Sequence, residues 1–271
     1  MRLWVLGTGS RGNAVLLESD GARIIVDAGF GVRALAERLA AGRVAPESID
    51  ACVVTHEHAD HVKGVRHAAS RWGWAVHASS GTAAAHAPLR ASNASTFAAG
   101  AAFRVGPFAV QTVATPHDAA ESVAVVVTAD SGARAGVCYD LGHAPDAVRL
   151  ALADLDLLVL ESNHDEAMLR AGPYPPSVAE RIAGRFGHLS NRAAGALARQ
   201  VAGPGLRHVV LAHLSESCNE PRLASADVGA TLARTRFRGA ITTALQDVVV
   251  GPFVAAAHKR VAGVEQLALG L

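Results

Sequence analysis

The sequence predicts an α/β fold of four layers, an αββα sandwich in which two β-sheets pack face to face and helices cover both outer faces. Short strand-like runs dominate the first half of the chain, strands alternate with helices in the second half, and helical patterns occur in both. No repeat of fixed period and no low-complexity linker interrupts this pattern. Because such elements bury their apolar faces against one another, we expect one domain over residues 1–271.

Each expected element is marked by its residue pattern and by the turn residues that end it. The expected strands are rich in β-branched and aliphatic residues and cover Leu3–Leu6, Ala14–Glu18, Arg23–Asp27, Ala51–Thr55, Trp74–His77, Phe108–Val113, Ser122–Thr128, Arg134–Tyr139, Leu155–Leu160, His208–Ala212 and Ala240–Val250. The expected helices cover 32–41, Val62–Arg71, Thr82–His86, Val178–Phe186, Asn191–Val201 and Leu223–Ala233. Ser177 and Glu180 have the spacing of a capping box and follow two prolines, which predicts a helix start there.

The composition limits the classes of function. Lys plus Arg number 25 and Asp plus Glu number 24, so the net charge of +1 excludes a strongly basic nucleic-acid binder but allows a local basic patch. The three cysteines are an odd number without a C-x-x-C spacing, which argues against a disulfide framework and a zinc ribbon. No apolar stretch is long enough to span a bilayer, so we expect no membrane partner and a cytoplasmic location.

A histidine-rich segment follows the strand expected at 51–55. Residues two apart in an extended chain point the same way, so His56 and His58 can face one metal ion. Asp60 and His61 are adjacent, diverge if the chain turns into a helix, and can serve a second metal. Four potential ligands in six residues are unusual for a polar loop, and the lack of cysteine argues against a closed structural zinc site. Imidazole and carboxylate ligands suit zinc or manganese, and iron is possible.

This H-x-H-x-D-H pattern at a strand end resembles the signature of the metallo-β-lactamase superfamily, whose fold is an αββα sandwich. The resemblance implies two divalent metal ions per chain and three further ligands at later strand ends. Asp27 resembles the buried carboxylate that orients the metal cluster in this superfamily. The implied ligands are His56, His58 and His117 for the first metal, Asp60, His61 and His213 for the second, and Asp140 as a bridge between them.

Four further motifs resemble those of the YycJ/WalJ-like group within that superfamily. They are GTGSRGN at 7–13, ESNHD at 161–165, GPYP at 172–175 and GHLSN at 187–191. Glu161 and His188 also resemble the glutamate and histidine that assist phosphodiester cleavage in the related tRNase Z family. The resemblance covers residues 1–225 and implies a phosphodiesterase or nuclease that digests DNA in the 5′-to-3′ direction. The pattern differs at Tyr139, where the group usually has Thr, and at 217–219, where Ser-Cys-Asn replaces an Asn-rich stretch.

Candidate substrate contacts lie in the same motifs and on one expected helix. Arg181 and Arg185 share a helix face at i and i+4, and such a pair either contacts phosphate or forms an ordinary solvated face. The glycine-rich turn at 7–13 either presents backbone amides to an anion or is a simple hairpin turn. The candidates are Ser10, Asn13, Asn163, Ser190, Asn191, Arg181 and Arg185.

The expected reaction is hydrolysis of a phosphodiester by water that two cations activate. Asp60 orients or deprotonates that water, and His188, held by Glu161, donates a proton to the leaving oxygen. The metal cluster alone is equally compatible with hydrolysis of a small cyclic phosphate, a thioester or a lactone, although the Glu161–His188 pair favours phosphate. Outside the enzymes, the alternative is a non-catalytic regulatory module that keeps its metals for stability.

Overall fold

The computed structural model describes residues 1–255, so residues 256–271 of the expected domain lie outside the described part. The strands are, in chain order, β1 (Arg2–Gly7), β2 (Ala14–Ser19), β3 (Ala22–Val26), β4 (Ala51–Val53), β5 (Ala75–Ser79), β6 (Ser95–Phe97), β7 (Ala102–Val105), β8 (Phe108–Ala114), β9 (Val123–Ala129), β10 (Arg134–Cys138), β11 (Leu157–Glu161), β12 (His208–Ala212), β13 (Ala240–Thr243) and β14 (Val250–Val254). The helices are α1 (Val32–Ala41), a short 3₁₀ helix (Pro46–Ser48), α2 (Ala59–Val62), α3 (Val65–Trp72), α4 (Ser80–Ala85), α5 (Ala87–Arg90), α6 (Asp146–Ala151), α7 (Glu166–Ala171), α8 (Pro176–Ile182), α9 (Asn191–Val201) and α10 (Pro221–Leu232).

The strands form two seven-stranded sheets with the same internal plan. The first sheet has the order β14-β1-β2-β3-β4-β5-β6, and the second has the order β13-β12-β11-β10-β9-β8-β7. In the first sheet, pairing is antiparallel from β14 to β3 and parallel from β3 to β6. In the second sheet, pairing is antiparallel from β7 to β10 and parallel from β10 to β13. Each sheet therefore has a parallel half, and α/β proteins place their functional groups at the carboxyl ends of such strands.

Alternating side chains on the strands build the layers. On β1, Leu3 points into the core between the two sheets, while Trp4 points to the outer face that α1 and α3 cover. On β11, Val159 belongs to the same central core, while Leu158 packs outward against α6, α9 and α10. The layers are therefore helix, sheet, sheet and helix, and the predicted αββα sandwich is confirmed.

Most of the predicted elements are present, with ends that differ by a few residues. The helix Asn191–Val201 and the strand His208–Ala212 have the predicted bounds. The strand predicted over Ala240–Val250 was wrong, because this segment contains β13, a turn and only the first residue of β14. β14 pairs with β1 in the other sheet, so the chain crosses between the sheets here and the strand must break.

The helix predicted over Val178–Phe186 begins and ends earlier than expected. α8 starts at Pro176, which suits the first helical position because its missing N–H has no partner there in any helix. No side chain caps this end, so the predicted capping box of Ser177 and Glu180 was wrong. The helix ends at Ile182, whose carbonyl accepts a hydrogen bond from a backbone N–H further along the turning chain.

Several short elements have no clear signal in the sequence. β6, β14, α6 and α7 are three to six residues long, which is too short to show a period of two or 3.6 residues. Among the helices of residues 1–255, none is long and apolar enough to cross a membrane.

Candidate metal centre

Polar side chains at strand ends meet along one edge of the sandwich. Asp27 and His213 directly follow β3 and β12, and Asp140 follows β10 by two residues. All three have the left-handed backbone conformation, with φ of 60° at Asp27, 57° at Asp140 and 54° at His213. This conformation is uncommon for residues other than glycine and tends to cluster at functional sites. Four other residues of the described chain also adopt it, so the conformation agrees with the three predicted positions but does not single them out.

The histidine-rich segment covers this edge. After β4 the chain is extended as far as His58, and Asp60 and His61 lie in the first turn of α2. The carbonyl of His61 accepts a hydrogen bond of 2.9 Å from the backbone N–H of Ala28, which ties this turn to the end of β3. The change from extended to helical backbone separates the polar side chains of this segment into two groups.

His56, His58 and His117 form the first group, in which one potential ligand atom of each residue lies within 4.8 Å of the others. Nε2 of His117 lies 3.3 Å from Nδ1 of His58. Nδ1 of His117 lies 3.2 Å from the carbonyl oxygen of Gly187. A carbonyl can only accept, so Nδ1 of His117 carries the proton and Nε2 offers a lone pair to a metal ion.

Asp60, His61 and His213 form the second group. Oδ2 of Asp60 lies 3.3 Å from Nε2 of His61 and 3.4 Å from Nε2 of His213. The two histidines are buried, whereas the side chain of Asp60 is 21% exposed. Solvent therefore reaches the second group from the side of Asp60.

Asp140 stands between the two groups. Its Oδ2 lies 2.9 Å from Nε2 of His61 and 4.0 Å from Nε2 of His56. Among the described residues, neither Oδ2 of Asp140 nor Nε2 of His56 has a hydrogen-bond partner, although both atoms are buried. Buried polar groups are normally paired, so two unpaired ligand atoms in the centre of this cluster fit the binding of divalent metal.

The charges in the cluster shift the pKa values of its members. Burial alone would raise the pKa of Asp140, but His213 and His61 outweigh it and hold this pKa well below its usual range. Burial alone would lower the pKa of His213, but the charge of Asp140 and the hydrogen bond with Asp60 raise it to about 9. In the metal-free protein, His213 is therefore protonated at neutral pH, and a cation has to displace that proton.

Asp27 is fully buried behind His61 and accepts four hydrogen bonds, each 2.7 Å long. The donors are the backbone N–H and the hydroxyl of Thr55, the hydroxyl of Tyr139 and Nδ1 of His61. Because Nδ1 of His61 donates to Asp27, its Nε2 is the nitrogen that faces the second group and would bind a metal ion once deprotonated. The sequence patterns did not identify Thr55 or Tyr139 as partners of Asp27. The available sequence signal was that Tyr139 stands where the YycJ/WalJ-like group usually has Thr.

Glu161 and His188 form a pair beside the cluster. Nδ1 of His188 donates to Oε1 of Glu161 at 2.7 Å, and Oε2 of Glu161 accepts from the backbone N–H groups of Leu141 and Leu189. Burial would raise the pKa of Glu161, but the charge of His188 lowers it to about 2. Burial would likewise lower the pKa of His188, but Glu161 and Asp140 raise it well above its usual range. The side chain of His188 is 21% exposed, so a protonated imidazole reaches solvent here.

A cavity of about 230 Å³ opens onto the first group, and we call it the metal-side cavity. Its lining includes His58, His117, Asp118, Arg181 and His188. Oδ2 of Asp118 accepts a hydrogen bond of 2.7 Å from Nε of Arg181, and its Oδ1 lies 3.3 Å from Nε2 of His117. Asp118 therefore links an exposed guanidinium to the first group. Its position directly after His117 was the only sequence signal for it.

The exposed candidates for substrate contact are Ser10, Arg181 and Arg185. Of these, Arg181 lines the metal-side cavity. The expected shared helix face of Arg181 and Arg185 was wrong, because α8 ends at Ile182 and Arg185 lies in the turn that follows.

The glycine-rich turn at 7–13 is held together from within. Nδ2 of Asn13 donates to the carbonyl of Gly9 and to Oδ2 of Asp60, and its Oδ1 accepts from the hydroxyl of Thr8 and the N–H of Gly9. The backbone N–H groups of residues 8, 9, 11, 12 and 13 all donate within the protein. These five amides are therefore not available to an anion, and the side chain of Asn13 holds the turn against Asp60. The expected substrate contact of Asn13 stays a prediction.

Asn163, Ser190 and Asn191 are also buried. Nδ2 of Asn163 donates to the carbonyl of His213 at 3.0 Å, and the hydroxyl of Ser190 caps the N-terminus of α9. Asn191 exchanges two hydrogen bonds of 2.8 Å with Asn219, a residue that the motifs did not single out. The amides of Asn163 and Asn191 support the strand ends below the site, and their expected substrate contacts stay predictions.

The fold and the cluster define a class of protein, and sequence comparison agrees with it. Residues 22–214 match the family model of the beta-lactamase superfamily domain. The chain belongs to the metallo-β-lactamase superfamily, as its histidine-rich motif predicts, and it has the hydrolase fold of that superfamily.

Two named relatives show which group within this superfamily the chain resembles. Exodeoxyribonuclease YycJ of Bacillus anthracis is 31% identical over 238 residues, which cover 86% of this chain and 89% of the relative. Exodeoxyribonuclease WalJ of Streptococcus pneumoniae is 29% identical over 226 residues, which cover 81% of this chain and 84% of the relative. The predicted resemblance to the YycJ/WalJ-like group is confirmed.

A solved structure shares the fold at lower sequence identity. The metallo-beta-lactamase fold protein YhfI from Bacillus subtilis is 18% identical and superposes with a TM-score of 0.67, over 92% of this chain and 99% of that chain. This likeness shows the fold over nearly the whole of both chains.

Proposed function

We propose that this protein is a dinuclear metal-dependent phosphodiesterase that digests DNA as a 5′-to-3′ exonuclease. The observation that carries the proposal is the convergence of seven candidate ligands at one edge of the sandwich, with the Glu161–His188 pair beside them. The relatives YycJ and WalJ are named exodeoxyribonucleases, which supports DNA as the substrate.

The candidate ligands divide between two divalent cations, for which zinc and manganese suit the donor atoms and iron is compatible. When bound, two such cations lower the pKa of water and neutralise charge on a phosphate. The residues that would hold them are His56, His58 and His117 for the first, Asp60, His61 and His213 for the second, and Asp140 for both.

Asp60 is placed to act on the attacking water. Burial would raise its pKa, but His61 and His213 lower the pKa far more, so the carboxylate of Asp60 is ionised at neutral pH. Nδ2 of Asn13 donates to its Oδ2 at 3.1 Å and fixes its orientation. An ionised, oriented carboxylate that solvent reaches can hold a water molecule for attack and accept its proton.

His188 is placed to protonate the leaving oxygen. In the hydrolysis, water attacks phosphorus, the bond between phosphorus and the leaving oxygen breaks, and that oxygen takes up a proton. Nδ1 of His188 is bonded to Glu161, so the proton comes from Nε2. The carboxylate of Glu161 beside Nδ1 raises the pKa of His188 and so favours the protonated imidazole.

Metal-dependent hydrolysis by the purified chain tests the proposal. With zinc or manganese we expect hydrolysis of bis-p-nitrophenyl phosphate and of end-labelled single- or double-stranded DNA, with loss of both activities on chelation. Asp60→Asn should abolish both activities while the circular dichroism spectrum stays unchanged. Wild-type turnover in this variant would remove Asp60 from the mechanism.

The proton donor has its own variant. His188→Ala should lower kcat by about 10²- to 10⁴-fold, which is the usual contribution of a general acid. His67→Ala, at an exposed histidine on α3, is the matched control and should keep the wild-type rate. An effect of His188→Ala on KM alone would exclude the donor role.

Other outcomes would replace the proposal. Preferred hydrolysis of a small cyclic phosphate, a thioester or a lactone over DNA would keep the enzyme class and change its substrate. Degradation of labelled RNA in preference to DNA would change the polymer. No hydrolysis with any divalent metal would favour a non-catalytic regulatory module.

Two general expectations accompany the proposed function. We propose a single domain, because β14 pairs antiparallel with β1 and so joins the two ends of the described chain in one sheet. A cytoplasmic location stays a prediction, and the three buried cysteines, none of them in a disulfide within residues 1–255, are in keeping with a reducing compartment.

A further inference from the structure

A second cavity of about 360 Å³ lies beside the metal-side cavity and shares His188 with it. It is lined by residues of α7, α8 and the start of α9, and we call it the helix-side cavity. Its lining includes the apolar residues Leu169 of α7, Ala179 of α8 and Ala193 of α9, together with the charged residues Glu166, Arg170 and Glu180. The volume falls within the range of about 300–1,000 Å³ that is typical of small-molecule sites, which likewise combine apolar walls with a few polar groups.

His164 is the most deeply buried polar residue that lines this cavity. Its side chain is 2% exposed, and its Nδ1 has no hydrogen-bond partner within residues 1–255. The backbone of His164 is fixed, because its carbonyl accepts a hydrogen bond of 2.9 Å from the N–H of Asn191. A buried nitrogen without a partner is uncommon in a folded protein, and a ligand in the cavity can supply the missing partner.

The proposed reaction determines what lies on each side of His188. A group that gives its proton to the leaving oxygen faces the part of the substrate that carries this oxygen. In 5′-to-3′ digestion that leaves a 5′-phosphate on the remaining strand, the leaving oxygen is the 3′ oxygen of the terminal nucleotide. The terminal nucleoside therefore lies near His188, and the helix-side cavity is the space that adjoins this imidazole away from His58 and His117.

We propose that the helix-side cavity binds the nucleoside of the 5′-terminal nucleotide, with its base between the apolar walls and hydrogen-bonded to Nδ1 of His164. The inference rests on the proposed function and adds a binding site to it. A nucleobase is planar and apolar on its faces and polar at its edge, which matches small aliphatic walls and one unpartnered ring nitrogen. Arg170 lines the same cavity and is exposed, so its guanidinium can meet the 5′-phosphate of that nucleotide.

The test compares two oligonucleotides, one with all bases and one in which the 5′-terminal nucleotide lacks its base. For the wild-type chain, kcat/KM should be about 10-fold or more higher on the complete oligonucleotide, because the abasic end leaves the cavity unfilled. Ala193→Leu and Ala179→Leu fill the cavity from two different helices, and each should bring the ratio of the two values close to one. Ala226→Leu, at an exposed position of α10, is the matched control and should keep the wild-type ratio.

The outcomes separate the inference from the proposed function. A wild-type ratio near one, or a ratio that both cavity-filling variants leave unchanged, would overturn the inference while hydrolysis of both oligonucleotides still supports the enzyme. Absence of hydrolysis by the wild-type chain would overturn the proposed function and the inference together. Leucine is nearly as favourable as alanine in a helix, so the two substitutions should not disrupt their helices. Because the two variants lie on separate helices, the test stays decisive if one of them fails to fold.

Discussion

Gly29 is the residue that lets the end of β3 approach the histidine-rich segment. A Cβ atom added to Gly29 would lie 1.6 Å from the carbonyl oxygen of Asp60 and 2.7 Å from the backbone nitrogen of Asn13. Real Cβ atoms essentially never come within 3.0 Å of such atoms. In Gly29→Ala, the added Cβ atom and the carbonyl oxygen of Asp60 must therefore move apart by about 1.4 Å, from 1.6 Å to at least 3.0 Å.

This displacement falls on the second group of candidate ligands. The backbone N–H of Asn13 donates to the carbonyl of Asp60 at 2.8 Å, so the same movement breaks a buried hydrogen bond and shifts the carboxylate of Asp60 from its neighbours. Misplacement of a catalytic group by 1 Å can cost about 100-fold in rate. Overpacking a buried site typically costs about 1–3 kcal/mol of stability. We expect both effects in Gly29→Ala.

Calorimetric titration of the metal-free protein with zinc measures the effect on each site, and hydrolysis of bis-p-nitrophenyl phosphate measures the effect on rate. The affinity of the second site should fall at least 10-fold, more than that of the first site. Gly31→Ala is the matched control, because a Cβ atom there meets no atom within 4 Å and the φ of Gly31 is −60°. If Gly29→Ala bound zinc at both sites with the wild-type affinities, the reasoning would be refuted.

Two further predictions concern the charges of the cluster. Asp27→Asn keeps a side chain that tolerates the φ of 60° but removes the charge that holds His61, so metal affinity should fall about 10- to 100-fold in the same titration. Asp154→Asn, at an exposed position with φ of 55°, is its control, and equal affinities in the two variants would contradict the role of Asp27. The second prediction follows from the pKa of His213, which is raised to about 9 in the metal-free protein from an ordinary value of 6.5. The protonated form of His213 stabilises the metal-free fold fully below pH 6.5, and this stabilisation is lost as the pH rises to 9. Zinc competes with that proton, so its apparent affinity should rise over the same interval and proton release should be detectable by calorimetry in buffers of different ionisation enthalpy. An apparent affinity that does not change with pH would count against this assignment.

The metal centre could be predicted largely because its signals are local. The first four candidate ligands fall within six residues, and each later one closely follows a strand that is visible as an apolar run. The strands β8, β10 and β12 run in the same direction, so His117, Asp140 and His213 reach one edge of the second sheet. The packing of the two sheets brings this edge to His56, which follows β4 of the first sheet. Glu161 lies at the end of β11 for the same reason.

Contacts between distant parts of the chain could not be predicted in this way. Tyr139 donates to Asp27 across 112 residues, and neither residue type has a pattern that announces the other. Gly29 looks like an ordinary turn residue in the sequence, and only the structure shows the backbone of Asp60 pressed against it. The hydrogen bond from the amide of Asn13 to Asp60 also could not be predicted, because Asp60 lies in another loop.

The unpaired atoms at the centre of the cluster connect metal binding with stability. Asp140 is buried with an ionised carboxylate, and within residues 1–255 neither its Oδ2 nor the facing Nε2 of His56 has a hydrogen-bond partner. Leaving buried polar groups unsatisfied destabilises a fold, so a cation that ligates both atoms stabilises the folded state as well as completing the site. A cation at 100 times its dissociation constant stabilises the fold that binds it by about 2.7 kcal/mol. Loss of activity on chelation therefore combines loss of chemistry with loss of fold stability, and only a measurement of both can assign the metals a catalytic role.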